Sequence, residues 1–197
     1  MKKNIAIFAS GNGSNAENIA EYFRQCPADS DAGVALIVCN KPDAYVISRA
    51  ERLGIPCRVL PKAQINDPEV ILPLLDSYGI DVIALAGYLL LIPEFMVHRY
   101  EGRMVNIHPS LLPKYGGKGM HGAHIHQAVI ENGDTETGIT VHLVNERCDE
   151  GSIIFQHSIP VTPDDTAETV ETRIHALEKE YFPRVIHKLV LGLKGGV

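Results

Sequence analysis

The sequence predicts an α/β protein: one doubly wound sheet, mostly parallel, that ends in antiparallel strands at its C-terminal edge. Three observations carry this. Apolar runs of strand length alternate with amphipathic runs of helix length through the first half of the chain, the pattern of successive βα units. From Gly138 the pattern changes to two β-rich runs separated by a short polar turn, which reads as a hairpin added to the sheet's edge. The length of 197 residues suits one substantial core and is short for two.

Taken in order, "NIAIFA" (4–9) is a buried first strand, its unbroken apolar run suited to a sheet covered on both faces. A glycine-rich turn follows, then a helix from Asn15 to Gln25. "VALIVC" (34–39) is the second strand. Asp43, beyond Pro42, is expected to open the next helix, "DAYVISRAERLG", which Gly54 closes as its C-cap. "CRVLP" is a short third strand, and "DPEVILPLLDSYG" is helical, with Pro73 bending or dividing it. "DVIALAG" (81–87) and "RMVNIH" (103–108) are the fourth and fifth strands. "GITVHLVNE" and "SIIFQHSIPV" form the hairpin. The final helix, "TAETVETRIHALEKEYFPRVIHKLVLGL", carries a core stripe of Val170, Ile174, Leu177 and Tyr181 and is expected to break near Pro183. No repeat or linker divides the chain, so residues 1–197 are expected to form a single domain.

Composition narrows the function classes. A net charge of −6 argues against broad nucleic-acid binding, which needs a basic face. No apolar run approaches the ~20 residues of a membrane span. The apolar run after "MKK" ends in a glycine loop too soon to serve as a signal peptide. Cys26, Cys39, Cys57 and Cys148 are scattered without a C-x-x-C pair, as expected of a reduced cytoplasmic chain.

Gly11, Gly13 and Ala16 satisfy the G-x-G-x-x-A spacing of a dinucleotide fingerprint. A dinucleotide site also needs an acidic side chain at the end of the second strand, and here that strand ends in "VCNK". NAD is therefore disfavoured. Gly13, Ser14 and Asn15 instead offer backbone donors, a hydroxyl and an amide at a helix start, equipment for one phosphate monoester.

"RMVNIHPSLLPKYGGKGMHG" (103–122) carries the chemistry. Asn106 and His108, two residues apart, point to one side of a strand at the carboxyl edge of the sheet, where open α/β folds place their sites. An amide donor beside an imidazole can stabilise an oxyanion and move a proton at an acyl centre. Asp149, in the hairpin turn "CDEG", is a carboxylate that would orient His108 and favour its cationic form. "HGAHIH" (His121, His124, His126) lacks the further ligand and spacing of a metal site, so no metal is expected; His124 and His126 read as polar residues at a helix start. "PKYGGKGMHG" reads as a lid or surface loop whose lysines could meet an anionic substrate.

The stretches "FASGNGSN", "LAGYLLLIP", "NIHPSLLPKY", "HIHQAVIENGDTETGITVHLV" and "DEGSIIFQ" resemble the phosphoribosylglycinamide formyltransferases, folate-dependent enzymes of purine synthesis. "NIHPSLLP" marks the wider superfamily, while the "GSN" loop and the single-domain length narrow the choice. The resemblance implies a Rossmann-like formyltransferase fold and a catalytic triad of Asn106, His108 and Asp149. It implies a substrate-phosphate loop of Gly13, Ser14 and Asn15, and contact of Glu178 with the glycinamide. Leu89, Leu90, Leu91 and Ile92, with Asn106, correspond to the folate-binding positions. Leu90 stands where some members carry an arginine, and an arginine that can touch the folate tail is replaced within "NDPEV". The loop "GGKGMHGAH" is longer than in the best-known bacterial members.

The implied reaction is transfer of the formyl group of 10-formyltetrahydrofolate, a co-substrate, to the amine of phosphoribosylglycinamide through a tetrahedral oxyanion. Asn106 and a protonated His108 would stabilise that oxygen, with Asp149 raising the His108 pKa. The implied partners are these small molecules, with no nucleic acid or membrane, and a homodimer is left open. The alternative is a formyltetrahydrofolate hydrolase-type enzyme, which gives the formyl group to water and whose members carry an extra N-terminal regulatory domain. A nucleotide-binding regulatory module would need only the first βαβ unit and would leave Asn106, His108 and Asp149 without a purpose.

Overall fold

Seven strands, β1 (Lys3–Ala9), β2 (Ala32–Cys39), β3 (Cys57–Val59), β4 (Ile80–Leu85), β5 (Met104–His108), β6 (Glu136–Leu143) and β7 (Ile153–Pro160), form one sheet in the order β3-β2-β1-β4-β5-β6-β7. The computed structural model describes residues 2–26, 32–117, 119–120 and 122–193. β1 to β5 are parallel, whereas β6 runs against β5 and β7 against β6. The helices are α1 (Ser14–Gln25), α2 (Val46–Leu53), α3 (Lys62–Ile65), α4 (Pro68–Ser77), α5 (Glu94–Arg99), α6 (Ala123–Glu131) and α7 (Ala167–Gly192).

Side chains of β1 alternate between two cores, as the two-residue strand period requires. Ile5, Ile7 and Ala9 pack with Ile19 of α1 and Ile174 and Phe182 of α7. Ala6 and Phe8 pack on the other face with Ile71 and Leu75 of α4 and Tyr100. Both faces are covered, which is why this strand reads as continuous apolar sequence.

Three local expectations are corrected: the start of α2, a division of α4 at Pro73 and a break of α7 near Pro183. Asp43 does not open α2: it lies in a turn where Ala44 N donates to Lys41 O at 3.4 Å, and Tyr45 is the N-cap residue. A tertiary bond marks that start, Val46 N donating to Gly11 O at 3.1 Å. Pro73 stays inside α4, on its exposed side, where water can take the carbonyl it frees. Pro183 does not break α7, which runs unbroken for 26 residues. Proline lacks the N–H that would bind the carbonyl four residues earlier, that of Lys179. Asn18 Nδ2 of α1 donates to that oxygen instead, at 2.8 Å. α3 and α5, at 4 and 6 residues, are too short to leave a periodic signal.

The winding of the sheet reverses between β1 and β4, so the loops after these two strands part and then meet at the carboxyl edge. Ser10 N donates to Gly87 O at 3.0 Å, and Leu89 N donates to Ser10 Oγ at 2.9 Å. These bonds place the glycine turn beside the segment from Leu89 to Ile92.

Candidate active site

β5 ends in Asn106-Ile107-His108, and the strand period sends Ile107 into the core while Asn106 and His108 share the other face. Asp149 reaches the same face from the β6–β7 connection. It adopts a left-handed backbone, φ 58°, which Asp tolerates better than most residues. Gly151 lets that turn close, since a Cβ there would lie 1.6 Å from Leu143 O. Asp149 Oδ2 lies 3.6 Å from His108 Nδ1, and Asp149 Oδ1 accepts from Asn106 Nδ2 at 3.4 Å. The three side chains expected from sequence therefore converge.

Three further groups complete the cluster. His142 sits opposite Asn106 in the β5–β6 register. Its Nδ1 lies 3.0 Å from Leu143 O, an oxygen that can only accept, so Nδ1 carries the proton and Nε2 accepts from Asn106 Nδ2 at 3.1 Å. His142 Nε2 is also 3.6 Å from Asp149 Oδ1. Gly117 N donates to Asp149 Oδ2 at 3.0 Å, and His108 Nε2 donates to Tyr115 O at 2.8 Å. The signal for His142 was its two-residue offset from Thr140 in "TVHLV"; without the β5–β6 register it had no partner to point at.

Burial pushes the His108 pKa below its ordinary value, against the opposing pull of Asp149 and the Tyr115 carbonyl. The ring is only 4% exposed, so loss of hydration outweighs the carboxylate. Burial thus favours the neutral ring, while Asp149 pulls toward the cation as its place in the turn led one to expect. Burial alone would raise Asp149, yet the neighbouring His142 and His108 rings and the Gly117 N–H hold it down at about 2.

The segment after His108 is tied down rather than free. Leu112 N donates to Thr140 Oγ1 at 3.0 Å, Gln156 Nε2 to Leu112 O at 2.8 Å, and Ser110 Oγ to Lys114 O at 2.6 Å. Lys114, one of the loop lysines that could meet an anionic substrate, is paired with Asp134 at 2.5 Å. The Tyr115 hydroxyl donates to the other Asp134 oxygen at 2.8 Å. Lys118 and His121, singled out from sequence, lie outside the described residues. His124 opens α6 as expected, but His126 is a buried residue, 1% exposed, whose Nδ1 has no hydrogen-bond partner among the described residues.

At the glycine turn, Gly13 has φ 76°, and a Cβ there would meet Val46 at 2.4 Å from Cγ2 and 2.9 Å from Cα. Only glycine serves, for both conformation and space. Ser14 and Asn15 open α1, whose positive end faces the turn. Asn15 Nδ2 donates to Glu178 Oε2 at 3.0 Å, so two residues expected at separate contacts form one unit. Glu178 is buried in α7, and burial raises its pKa against the opposing effects of Asn15 and His175. β4 pairs Leu85 with Asn106, so the chain leads from beside the triad to Leu89 and Leu91, which are exposed, and Leu90 and Ile92, which are half-buried.

Residues 3–186 match the model of the formyl transferase family. A phosphoribosylglycinamide formyltransferase of Bacillus subtilis (strain 168) is 44% identical, with 98% of this chain and 96% of that protein covered. The namesake from Haemophilus influenzae is 38% identical over 94% of this chain and 86% of its own. A crystal structure of the Bacillus halodurans phosphoribosylglycinamide formyltransferase superposes with a TM-score of 0.83 at 38% identity, covering 95% of each chain.

Proposed function

The chain belongs to the formyl transferase family, and we propose that Asn106, His108 and Asp149 carry its transfer of a formyl group from 10-formyltetrahydrofolate to the amine of phosphoribosylglycinamide. The activity is phosphoribosylglycinamide formyltransferase, a one-carbon transfer in purine biosynthesis, and the family draws on formyl-folate as co-substrate. The observation that supports the residue roles is the position of Asp149, within 3.6 Å of His108 and 3.4 Å of Asn106 at the sheet's carboxyl edge.

The substrate amine attacks the formyl carbon, and the carbonyl oxygen gathers charge in a tetrahedral intermediate. Asn106 turns an N–H to that oxygen; the 3.4 Å bond to Asp149 is the weaker of its two and the easier to release. One such donor is worth about 3–4 kcal/mol in a water-excluded site. His108 Nε2–H is committed to Tyr115 O, so the proton that His108 gains and loses is on Nδ1, facing Asp149. A ring neutral at rest accepts the proton shed by the attacking amine. As a cation beside Asp149 it then stabilises the oxyanion, until the proton passes to the leaving folate nitrogen and the carbon–nitrogen bond breaks.

Gly13, Ser14 and Asn15 hold the substrate phosphate, and Glu178, presented through Asn15, holds the glycinamide portion. Leu89 to Ile92 form an apolar wall for the pterin. No step calls for a metal, since the formyl group arrives activated on its carrier. We read residues 1–197 as one formyltransferase domain and the chain as cytoplasmic. Among the described residues no helix is long and apolar enough to cross a membrane.

The test is formyl release from a 10-formyl-folate with and without phosphoribosylglycinamide. Release only when the glycinamide is present is expected. Equal release into water without it would establish the hydrolase alternative, which the transferase names of the relatives do not favour.

A further inference from the structure

We propose that Arg49 is a positioning residue for the substrate-phosphate loop, clamping both ends of the turn without touching substrate. Arg49 lies on α2 three residues after Val46, on the same helix face. Val46 already closes on the loop, through its N–H to Gly11 O and its contact with the space above Gly13. The Arg49 guanidinium then reaches two points. Nε donates to Asn12 O at 2.9 Å and Nη2 to Asn12 Oδ1 at 2.8 Å, fixing the residue before Gly13. Nη1 pairs with Glu17 Oε2. Glu17 N donates to Gly13 O at 2.9 Å, the first rung of α1, so Glu17 is the far end of the same turn.

One planar group thus spans the stretch from which Gly13, Ser14 and Asn15 present their donors. The Tyr45 ring, 4.9 Å from the guanidinium carbon, covers the fork, and the Arg49 side chain is 16% exposed. Glu17 is shared with Arg52, so two guanidiniums stand against one carboxylate and leave positive charge beside a loop that receives a phosphate. Lysine would keep the charge but cannot make three bonds in a fixed fork. An unclamped turn has to be ordered when substrate binds, which weakens binding. The formyl centre, on β5, is untouched, so kcat and the folate KM are spared.

The inference rests on the phosphate-loop role of residues 13–15, so the experiment tests the two separately. Arg49→Lys, Asn12→Ala and Ser14→Ala are compared by steady-state kinetics in both substrates, thermal melting, and calorimetric titration with inorganic phosphate. Arg49→Lys is expected to raise the phosphoribosylglycinamide KM about tenfold and weaken phosphate binding in parallel, with kcat and the folate KM within about twofold. An unmoved glycinamide KM, or equal rises in both KM values, overturns the clamp. If Arg49→Lys does not fold, Asn12→Ala decides: a severalfold rise confined to the glycinamide supports the clamp, and no rise overturns it. A raised glycinamide KM in Ser14→Ala beside an unmoved Arg49→Lys sinks the clamp alone. No response in Ser14→Ala together with no phosphate binding sinks the loop assignment itself.

Discussion

Asp149 has to satisfy a backbone constraint and an electrostatic one at once. Its φ of 58° restricts the position to residues that tolerate the left-handed region, and asparagine is one of them. Asp149→Asn therefore keeps the turn and the acceptor for Gly117 N while removing the charge beside His108. The neutral ring then loses the partner that makes protonation affordable, and its pKa falls further. Turnover should drop by roughly two to four orders of magnitude with little change in either KM, because the loss is felt chiefly in the transition state. A pH–rate series with circular dichroism as the folding check measures this; near-normal turnover with earlier melting would make Asp149 a turn residue only. Asn106 and His108 could be read from sequence because strand periodicity is local. His142 could not, since its meaning lies in facing Asn106 across the β5–β6 pairing, and the resting charge of His108 depends on how deeply that pairing buries it.

At the scale of elements, local chemistry located the helices and strands but misjudged what neighbours repair. A proline in mid-helix is a sound reason to expect a break. The partner that prevents it, Asn18, is remote in sequence and meets α7 only after α1 has packed. The repair can be isolated by a double-mutant cycle. Asn18→Ala leaves the Lys179 carbonyl to water and should cost about 0.5–1 kcal/mol in urea unfolding, the modest value of a solvent-accessible hydrogen bond. In a Pro183→Ala background the residue 183 N–H can bind that carbonyl itself, so the cost of Asn18→Ala should shrink toward zero. Equal costs in both backgrounds would mean that Asn18 stabilises α7 by some other contact. The start of α2 follows the same logic: Asp43 is a good helix opener in isolation, and the Gly11 carbonyl, brought in by β1, meets the N–H of Val46 instead.

Across the whole molecule, the mostly parallel sheet and its antiparallel edge were legible because buried parallel strands and a hairpin have different hydrophobic signatures. The consequence of burying titratable groups between layers was not legible. His126 of α6 is buried against α7, where Glu171 favours its charged form and His175 opposes it, and desolvation lowers its pKa overall. His108 is lowered in the same way. In the unfolded chain both titrate near 6.5. As pH falls below that value the unfolded chain binds protons that the native rings refuse, so stability is full above about 6.5 and is lost toward acid. Glu178 acts in the opposite sense, since its raised native pKa lets the folded chain bind a proton first. Asp149, at about 2, contributes only in much stronger acid. Between pH 7 and 5 the two histidines work against the folded state and Glu178 works for it. Replacing His126 by leucine removes one refused proton and puts an apolar side chain of comparable size in the same buried position. The melting temperature of His126→Leu should therefore decline less than that of the wild type over this range, measured by calorimetry at fixed ionic strength. Identical declines would show that His126 takes up its proton in the native state, and that the α6–α7 layer is open enough to solvate the charge.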